Sequence, residues 1–286
     1  MAKIIVTGVA GFIGSHIAAR LVKDGHEVIG IDDLSAGRRE NIPKGVVFEY
    51  RDVTEAHQYK ALFHGAEAVF HNAASKKNIC LTNPARDMEV NGIGTLRLLT
   101  TAVDMGVEKF IHASTGSVYG EVKGTIHEST PKSPVSFYGV SKLAGENYVQ
   151  LFSDRIKTAI LRYFHVYGSR QDATDDRGGV VAIFTRLIKA GKQIRIHGDG
   201  SQKRVFTYVD DIVEANMKAW NIGGVYNCAS SMQTTISELA LMLMVRHGKV
   251  PVVYTDPLAG DIYNFYVNTD AIQKLGVTFR PITKVI

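Results

Sequence analysis

Lys3-Ile4-Ile5-Val6-Thr7-Gly8-Val9-Ala10-Gly11-Phe12-Ile13-Gly14 opens the chain, and its reading decides the fold. Lys3 to Thr7 is a short, apolar, β-branched run, the pattern of a buried strand. Glycines follow at three-residue spacing, and Ile13, Ile17, Leu21 and Val22 recur on one face of a helix from about Phe12 to Asp24. A strand that turns through glycines into a helix presents free N–H groups and a positive dipole end to an anion. Without Cβ atoms at Gly8, Gly11 and Gly14 the chain can turn tightly and a pyrophosphate can approach the backbone. Three spaced glycines alone fit a purely structural turn about as well. Gly25 stops the helix, Glu27 to Asp32 reads as the next strand, and Asp32 ends it 24 residues after Gly8. A carboxylate there, with Asp33 beside it, accepts hydrogen bonds from an adenosine ribose and repels a 2′-phosphate. The turn therefore points to a dinucleotide, NAD before NADP, although Arg38 and Arg39 keep the phosphorylated form open.

Outward from the turn, Val46 to Tyr50, Ala68 to His71, Lys109 to Ala113 and Thr158 to Tyr163 are further buried-strand candidates. Helical stretches lie between most of them, notably Glu89 to Met105 and Ser141 to Phe152. Such alternation predicts an α/β fold with a doubly wound parallel sheet, the Rossmann architecture. After about Val166 the pattern loosens into glycine-rich loops, such as Asp176 to Gly179 and His197 to Ser201. Val205 to Val209 reads as a strand, Asp210 to Trp220 as a helix and Val225 to Cys228 as a strand that can rejoin the sheet. The expected division is a dinucleotide domain of residues 1–166 plus about 205–229, and a smaller, discontinuous substrate domain of about 167–204 plus 230–286.

The bulk composition excludes several classes. A 45% hydrophobic and 21% charged content is ordinary for a globular protein. No apolar run approaches the ~20 residues of a membrane span, and the N-terminus lacks signal-peptide zones. The net charge of +5 is dispersed, without the basic stripe that nucleic acid requires. Cys80 and Cys228 make neither a disulfide framework nor a metal-ligand spacing, so no metal and a reducing cytoplasm are expected.

Tyr138-Gly139-Val140-Ser141-Lys142 sets a phenol and an ammonium four residues apart, on one helical face. A nearby cation stabilises a phenolate, and an oxidised nicotinamide ring adds a second, so Tyr138 is expected to act as a base near neutral pH. Among 12 tyrosines and many lysines, one such spacing arises by chance about as often as not. Ser114-Thr115, however, follows the strand Lys109 to Ala113, where open α/β sheets place ligand-facing groups. A hydroxyl there can hold the oxygen that Tyr138 deprotonates, although a strand-end Ser-Thr can equally cap the following turn.

Ala113-Ser114-Thr115-Gly116-Ser117-Val118-Tyr119-Gly120, Ser133-Pro134 and the Tyr138 to Lys142 motif together resemble the nucleotide-sugar epimerase/dehydratase group of the extended short-chain dehydrogenase/reductase family. Further matches run in order through Asp52-Val53, His71-Asn72-Ala73-Ala74, Asn91-Gly92-Ile93-Gly94-Thr95, Leu161 to Gly168, Gly198 to Arg204, Tyr208 to Asp211 and Ala259-Gly260-Asp261. The chain looks most like the UDP-glucose 4-epimerase-like members. The resemblance implies Tyr138 as acid/base, Lys142 as its electrostatic partner and ribose ligand, and Thr115 as the helper hydroxyl. It also implies a cofactor groove of Gly8, Gly11, Phe12, Ile13, Gly14, Asp32, Asp33, Asp52, Val53, Asn72, Ala73, Lys76 and Asn91. The substrate side would comprise Thr115, Gly116, Ser117, Tyr138, His165, Val180, Arg204 and Asp261, with Arg204 on a phosphate and Asp261 on the nucleoside ribose. Asn91 as a helix cap and Asp261 as a polar loop residue are the plain structural readings.

Dehydratases of the group carry an Asp-Glu pair directly after the Thr115 position, and decarboxylases keep the glutamate. Gly116 and Ser117 stand there instead and cannot transfer those protons. The expected chemistry is therefore reversible oxidation at carbon 4 of a nucleotide-diphosphate sugar, an epimerisation with NAD regenerated in every turnover. The alternatives are a 4-keto reductase, a dehydrogenase or a dehydratase on the same scaffold, or an NAD-sensing regulator, which would be expected to lose Tyr138 or Lys142. Three departures bear on substrate: His165 replaces an asparagine, Leu258 an arginine, and Ser75-Lys76-Lys77 an uncharged stretch. A homodimer through the helices of about 91–106 and 141–152 is a further implication of the resemblance.

Overall fold

The computed structural model describes residues 1–75, 77–174, 178–257 and 266–286. Seven strands, β1 (Lys3–Thr7), β2 (Glu27–Asp32), β3 (Val46–Tyr50), β4 (Ala66–His71), β5 (Lys109–Thr115), β6 (Lys157–Tyr163) and β7 (Gly224–Cys228), form one sheet. Their order is β7-β6-β5-β4-β1-β2-β3, every pair parallel. The helices that matter for the site are α1 (Phe12–Lys23), α2 (Thr95–Asp104), α3 (Phe137–Leu151), α4 (Val180–Lys189), α5 (Val209–Ile222) and α6 (Ile236–His247). This is the doubly wound fold the alternation predicts, with Val225 to Cys228 rejoining the sheet.

Alternation along β1 shows why both faces are covered. Ile4 and Val6 enter one core with Ile17 and Leu21 of α1 and Ile212 and Trp220 of α5. Ile5, pointing the other way, meets Leu98, Leu99 and Ala102 of α2 and Val149 of α3. Each such buried side chain contributes about 1.5–3 kcal/mol. Strand order reverses between β1 and β4, whose ends Thr7 and His71 lie in register. That switch point is where such sheets open a ligand crevice beyond the strand ends. Residues from 167–206 and 232–286 build a separate core, including Phe184 and Ile188 of α4 and Leu239 and Leu243 of α6.

Several boundaries differ from the pattern. β5 runs on to Thr115, because Ser114 and Thr115 stay in register with Arg162 and Tyr163 of β6. α3 begins four residues before Ser141, since the Ser136 hydroxyl caps it by accepting from the Gly139 N–H at 3.1 Å. The stretch from Glu89 is a π-helical turn, Glu89–Gly94, before α2 starts. Val205 to Val209 is not one strand. Lys203–Val205 pairs antiparallel with Gln233–Thr235, whereas Thr207–Tyr208 pairs parallel with Val166–Tyr167. Val205 and Phe206 enter different cores, so the chain changes partner between them. No helix among the described residues is long and apolar enough to cross a membrane.

Candidate active site

The glycine turn is built by close approach. Gly8 has φ +69, and a Cβ there would lie 2.7 Å from the Ala73 nitrogen and 2.8 Å from the Asn72 carbonyl carbon. A Cβ on Gly14 would meet the Gly8 carbonyl oxygen at 2.2 Å. Gly11 caps α1 without a side-chain hydrogen bond, so the first-turn N–H groups of Phe12 and Ile13 lack an intrahelical acceptor. Asp32, 7% exposed, accepts from the Ala10 N–H at 3.0 Å and the Leu34 N–H at 2.8 Å. Burial raises its pKa, and those two donors pull it back. A carboxylate has about four acceptor positions, so two remain for ligand hydroxyls. The buried Asn72 Oδ1 and Ser75 Oγ have no hydrogen-bond partner among the described residues. Unmade bonds beside a glycine cradle and an acid fit a dinucleotide.

Asp33 is turned to Ser35, whose N–H and hydroxyl both donate to Oδ1. Asp52 caps the turn Val53–Phe63 through the Thr54 N–H at 2.8 Å and takes Arg86 Nη2 at 2.5 Å. Burial works against the Asp52 carboxylate, yet Thr54 and Arg86 outweigh it and hold its pKa below the usual range. The Val53 side chain is buried in the core, which leaves only its backbone for a ligand. Arg86, 3.8 Å from Asp33 as well, is a residue that sequence reasoning missed. Its only local signal is its place in a helix capped by Asn83, which says nothing of the acids it meets. Arg38 pairs with Asp172 at 2.9 Å and Arg39 lies over the Phe48 ring at 5.3 Å, so neither arginine is reserved for a 2′-phosphate.

Thr115 ends β5, and its Oγ1 accepts from the Ser117 N–H at 3.1 Å. A Cβ on Gly139 would lie 2.7 Å from the Ser117 carbonyl oxygen, so the first turn of α3 rests on residues 115–117. Tyr138, the residue before Gly139, lies in that first turn. Lys142, one turn further, is 2% exposed. Burial pushes Tyr138 up to about 12, with Asp87 and Cys80 adding to the rise. Burial also lowers Lys142 to about 8, opposed by Glu146 and Asp87. The expected low tyrosine pKa is thus corrected for the chain without cofactor, because burial desolvates the phenolate. His71 and His112, beneath Lys142, are held neutral by burial and by its charge.

Asn91 is fully buried within the π-helical turn and is not a helix cap. Its amide donates to Asp87 at 3.0 Å and Ser141 at 2.9 Å, and its carbonyl accepts from the Ser75 N–H at 3.0 Å. It joins the segment after β4 to the helix of Tyr138. On the far side, His165 follows β6 with φ +39 and its carbonyl accepts from the Thr207 N–H at 3.2 Å. Val180 opens α4, half-buried, and packs on the small core. Arg204 is 9% exposed, with one guanidinium N–H on the Lys203 carbonyl. Lys76, Leu258 and Asp261 lie outside the described residues. No three His, Cys, Asp or Glu side chains among the described residues group to hold a metal ion.

Residues 4–229 match the model of the NAD dependent epimerase/dehydratase family. The chain belongs to this family. It is 37% identical to the UDP-glucose 4-epimerase of Mycolicibacterium smegmatis, over 83% of this chain and 80% of that protein. A UDP-glucose 4-epimerase from Thermotoga maritima, solved with UDP-glucose, superposes with a TM-score of 0.92 at 38% identity, covering 97% of this chain and 94% of the other. The Thermus thermophilus UDP-glucose 4-epimerase, solved with NAD, gives 0.90 at 35% identity, covering 98% and 94%. Within this epimerase/dehydratase chain, the position after Thr115 is closed to a larger residue. A Cβ on Gly116 would lie 2.3 Å from the Phe164 ring.

Proposed function

We propose that this chain epimerises a UDP-sugar at carbon 4, interconverting UDP-glucose and UDP-galactose or their N-acetyl forms through a transient 4-keto sugar. The observation that carries the reading is the sealed Gly116 position. An acid there, as elimination of water requires, would collide with Phe164, and Gly116-Ser117 leaves Tyr138 to move the single proton of an alcohol oxidation. Asp32 would hold the adenosine ribose and the N–H groups of Phe12 and Ile13 the pyrophosphate, and Asp52, Val53, Asn72, Ala73 and Lys76 would complete the cofactor residues. Bound NAD supplies the hydride acceptor and donor, together with a positive charge beside the phenol.

The proton chemistry belongs to the chain. Thr115 donates to the sugar oxygen while Tyr138 Oη takes the 4-hydroxyl proton, and the Lys142 ammonium stabilises the phenolate and the nicotinamide ribose. After the keto sugar turns over, Tyr138 returns the proton to the oxygen as carbon 4 is reduced on its other face. Residues 1–166 plus about 205–229 hold NAD, and Ser117 and His165 of that domain hold the nucleotide sugar together with Val180, Arg204 and Asp261 of the smaller one. Cys80 and Cys228 are buried thiols outside any disulfide, in keeping with a cytoplasmic enzyme. We further propose a homodimer through α2, the turn before it and α3.

The test is incubation of the purified protein with UDP-glucose, UDP-galactose and their N-acetyl forms, followed by product separation and absorbance at 340 nm. Interconversion without accumulating free NADH is expected. Stoichiometric release of NADH would make the protein a dehydrogenase, and loss of water from the sugar would make it a dehydratase.

A further inference from the structure

Behind Lys142 and Thr115 lies a buried ion pair that the proton transfer above does not use. Glu146, fully buried, stands one helical turn after Lys142 on α3. Its carboxylate accepts from Arg162 Nε at 2.9 Å and Nη2 at 2.8 Å, and also from the hydroxyl of Ser114, the residue before Thr115. Arg162, 1% exposed on β6, donates onward to the Tyr119 hydroxyl at 2.6 Å and the Glu128 carbonyl at 3.0 Å. Tyr119 in turn donates to Asn227 of β7 at 2.7 Å. One guanidinium therefore ties together α3, the end of β5, the turn Gly116–Val118 and two strands. A fold needing only an ion pair between α3 and β6 would not need the Ser114 hydroxyl on the same carboxylate.

We propose that Glu146, clamped by Arg162, is a positioning residue for the proton-transfer pair. It fixes α3 against the end of β5, so that Tyr138 faces Thr115, and its charge keeps Lys142 in the ammonium form. The proposal rests on the reading of Tyr138, Lys142 and Thr115 given above. The charged and titratable groups acting on Lys142 are His71 from β4, His112 from β5, Asp87 from the helix Pro84–Met88 and Glu146 from its own helix. Both histidines are neutral, so the counter-charge comes from the two acids. Glu146 is the one whose remaining hydrogen bonds reach the Thr115 strand.

Two variants of the full chain test this, each assayed with and without NAD. Ser114→Ala removes one hydroxyl and leaves every charge in place. Glu146→Gln combined with Arg162→Gln removes both charges together, so no buried ion is left unpaired. The Lys142 titration is followed by heteronuclear NMR of the lysine side chains, assigned with Lys142→Met. In the double variant its midpoint is expected about one pH unit below the wild-type value, and unchanged in Ser114→Ala. The kcat for epimerisation is expected to fall about tenfold in Ser114→Ala with KM within about twofold, the mark of lost alignment. A folded double variant whose Lys142 titrates as in the wild type, or a Ser114→Ala enzyme with wild-type kcat, would overturn the proposal. If the double variant does not fold, Ser114→Ala decides alone. The titration needs no sugar, so a wild type that epimerises nothing removes the underlying reading and leaves this result standing.

Discussion

Lys142 is held as a buried cation, and burial lowers its pKa to about 8 from the ordinary 10.5 of a lysine. Below that pH both folded and unfolded chains carry the proton, and burying the charge destabilises the fold by about 3 kcal/mol. Between about pH 8 and 10.5 the unfolded chain binds more protons, so stability contributed by this group rises with pH. Tyr138 acts in the opposite sense in a later window. Its folded pKa of about 12 lies above the ordinary 10.0 of a tyrosine, so the folded chain binds more protons there and stability falls as pH climbs. Urea unfolding of the cofactor-free chain should therefore show a rise in stability from pH 8 towards 10. Lys142→Met should remove that rise, stabilise the chain at pH 7 by about 1–3 kcal/mol and abolish turnover. A variant less stable than wild type at pH 7 would contradict the electrostatic account. The pairing of Tyr138 with Lys142 was read from a local spacing, and Thr115 from its place at the end of a strand. The pKa values of Tyr138 and Lys142 were not legible, because burial, which only the folded chain creates, sets them first, and Asp87, Cys80 and Glu146 then act on them.

The glycine turn, as an element, was legible in full: strand, turn and helix follow one another in the chain, and each glycine has a backbone reason. Its partners were not, since Asn72 and Ala73 reach it from β4 across the switch point. Gly8→Ala sharpens the point. Its positive φ costs an L-residue about 1–2 kcal/mol, and its Cβ would press on the Ala73 nitrogen at 2.7 Å. The loop carrying Asn72 must then shift, so NAD affinity measured by titration calorimetry should fall at least about tenfold while the folded sheet survives. The π-helical turn Glu89–Gly94 was illegible for a different reason. Its apolar spacing is helical, and only the buried bonds of Asn91 to Asp87, Ser141 and Ser75 decide that the helix bulges. Asn91→Ala leaves those groups unpaired, at a cost of about 1–3 kcal/mol for each. Denaturant midpoints should drop accordingly, and an unchanged midpoint would mean that water or ligand, not Asn91, satisfies them.

Over the whole molecule, legibility falls with sequence separation. The large sheet is read from neighbouring strands and helices. The small lobe draws its core from both sides of α5, and its strand Ile194–His197 pairs with Val252–Thr255, a partner no local pattern announces. The outer surface poses the remaining question. Ile93 on the π-helical turn is 37% exposed, and Phe137, Val140 and Leu151 along α3 are 58%, 45% and 73% exposed. The two elements lie side by side, for a Cβ on Gly145 would meet the Asn91 carbonyl oxygen at 2.8 Å. Scattered apolar residues are ordinary on a surface, but a stripe shared by adjacent helices is the pattern of a face that packs on its own copy across a two-fold axis. Light scattering after size exclusion should therefore find two chains per particle at micromolar concentration. Ile93→Arg with Val140→Arg would set four like charges into such a face and should yield one chain with an unchanged circular dichroism spectrum. A wild type that is already a single chain would show that this stripe is solvated, and that each active site is complete within its own chain.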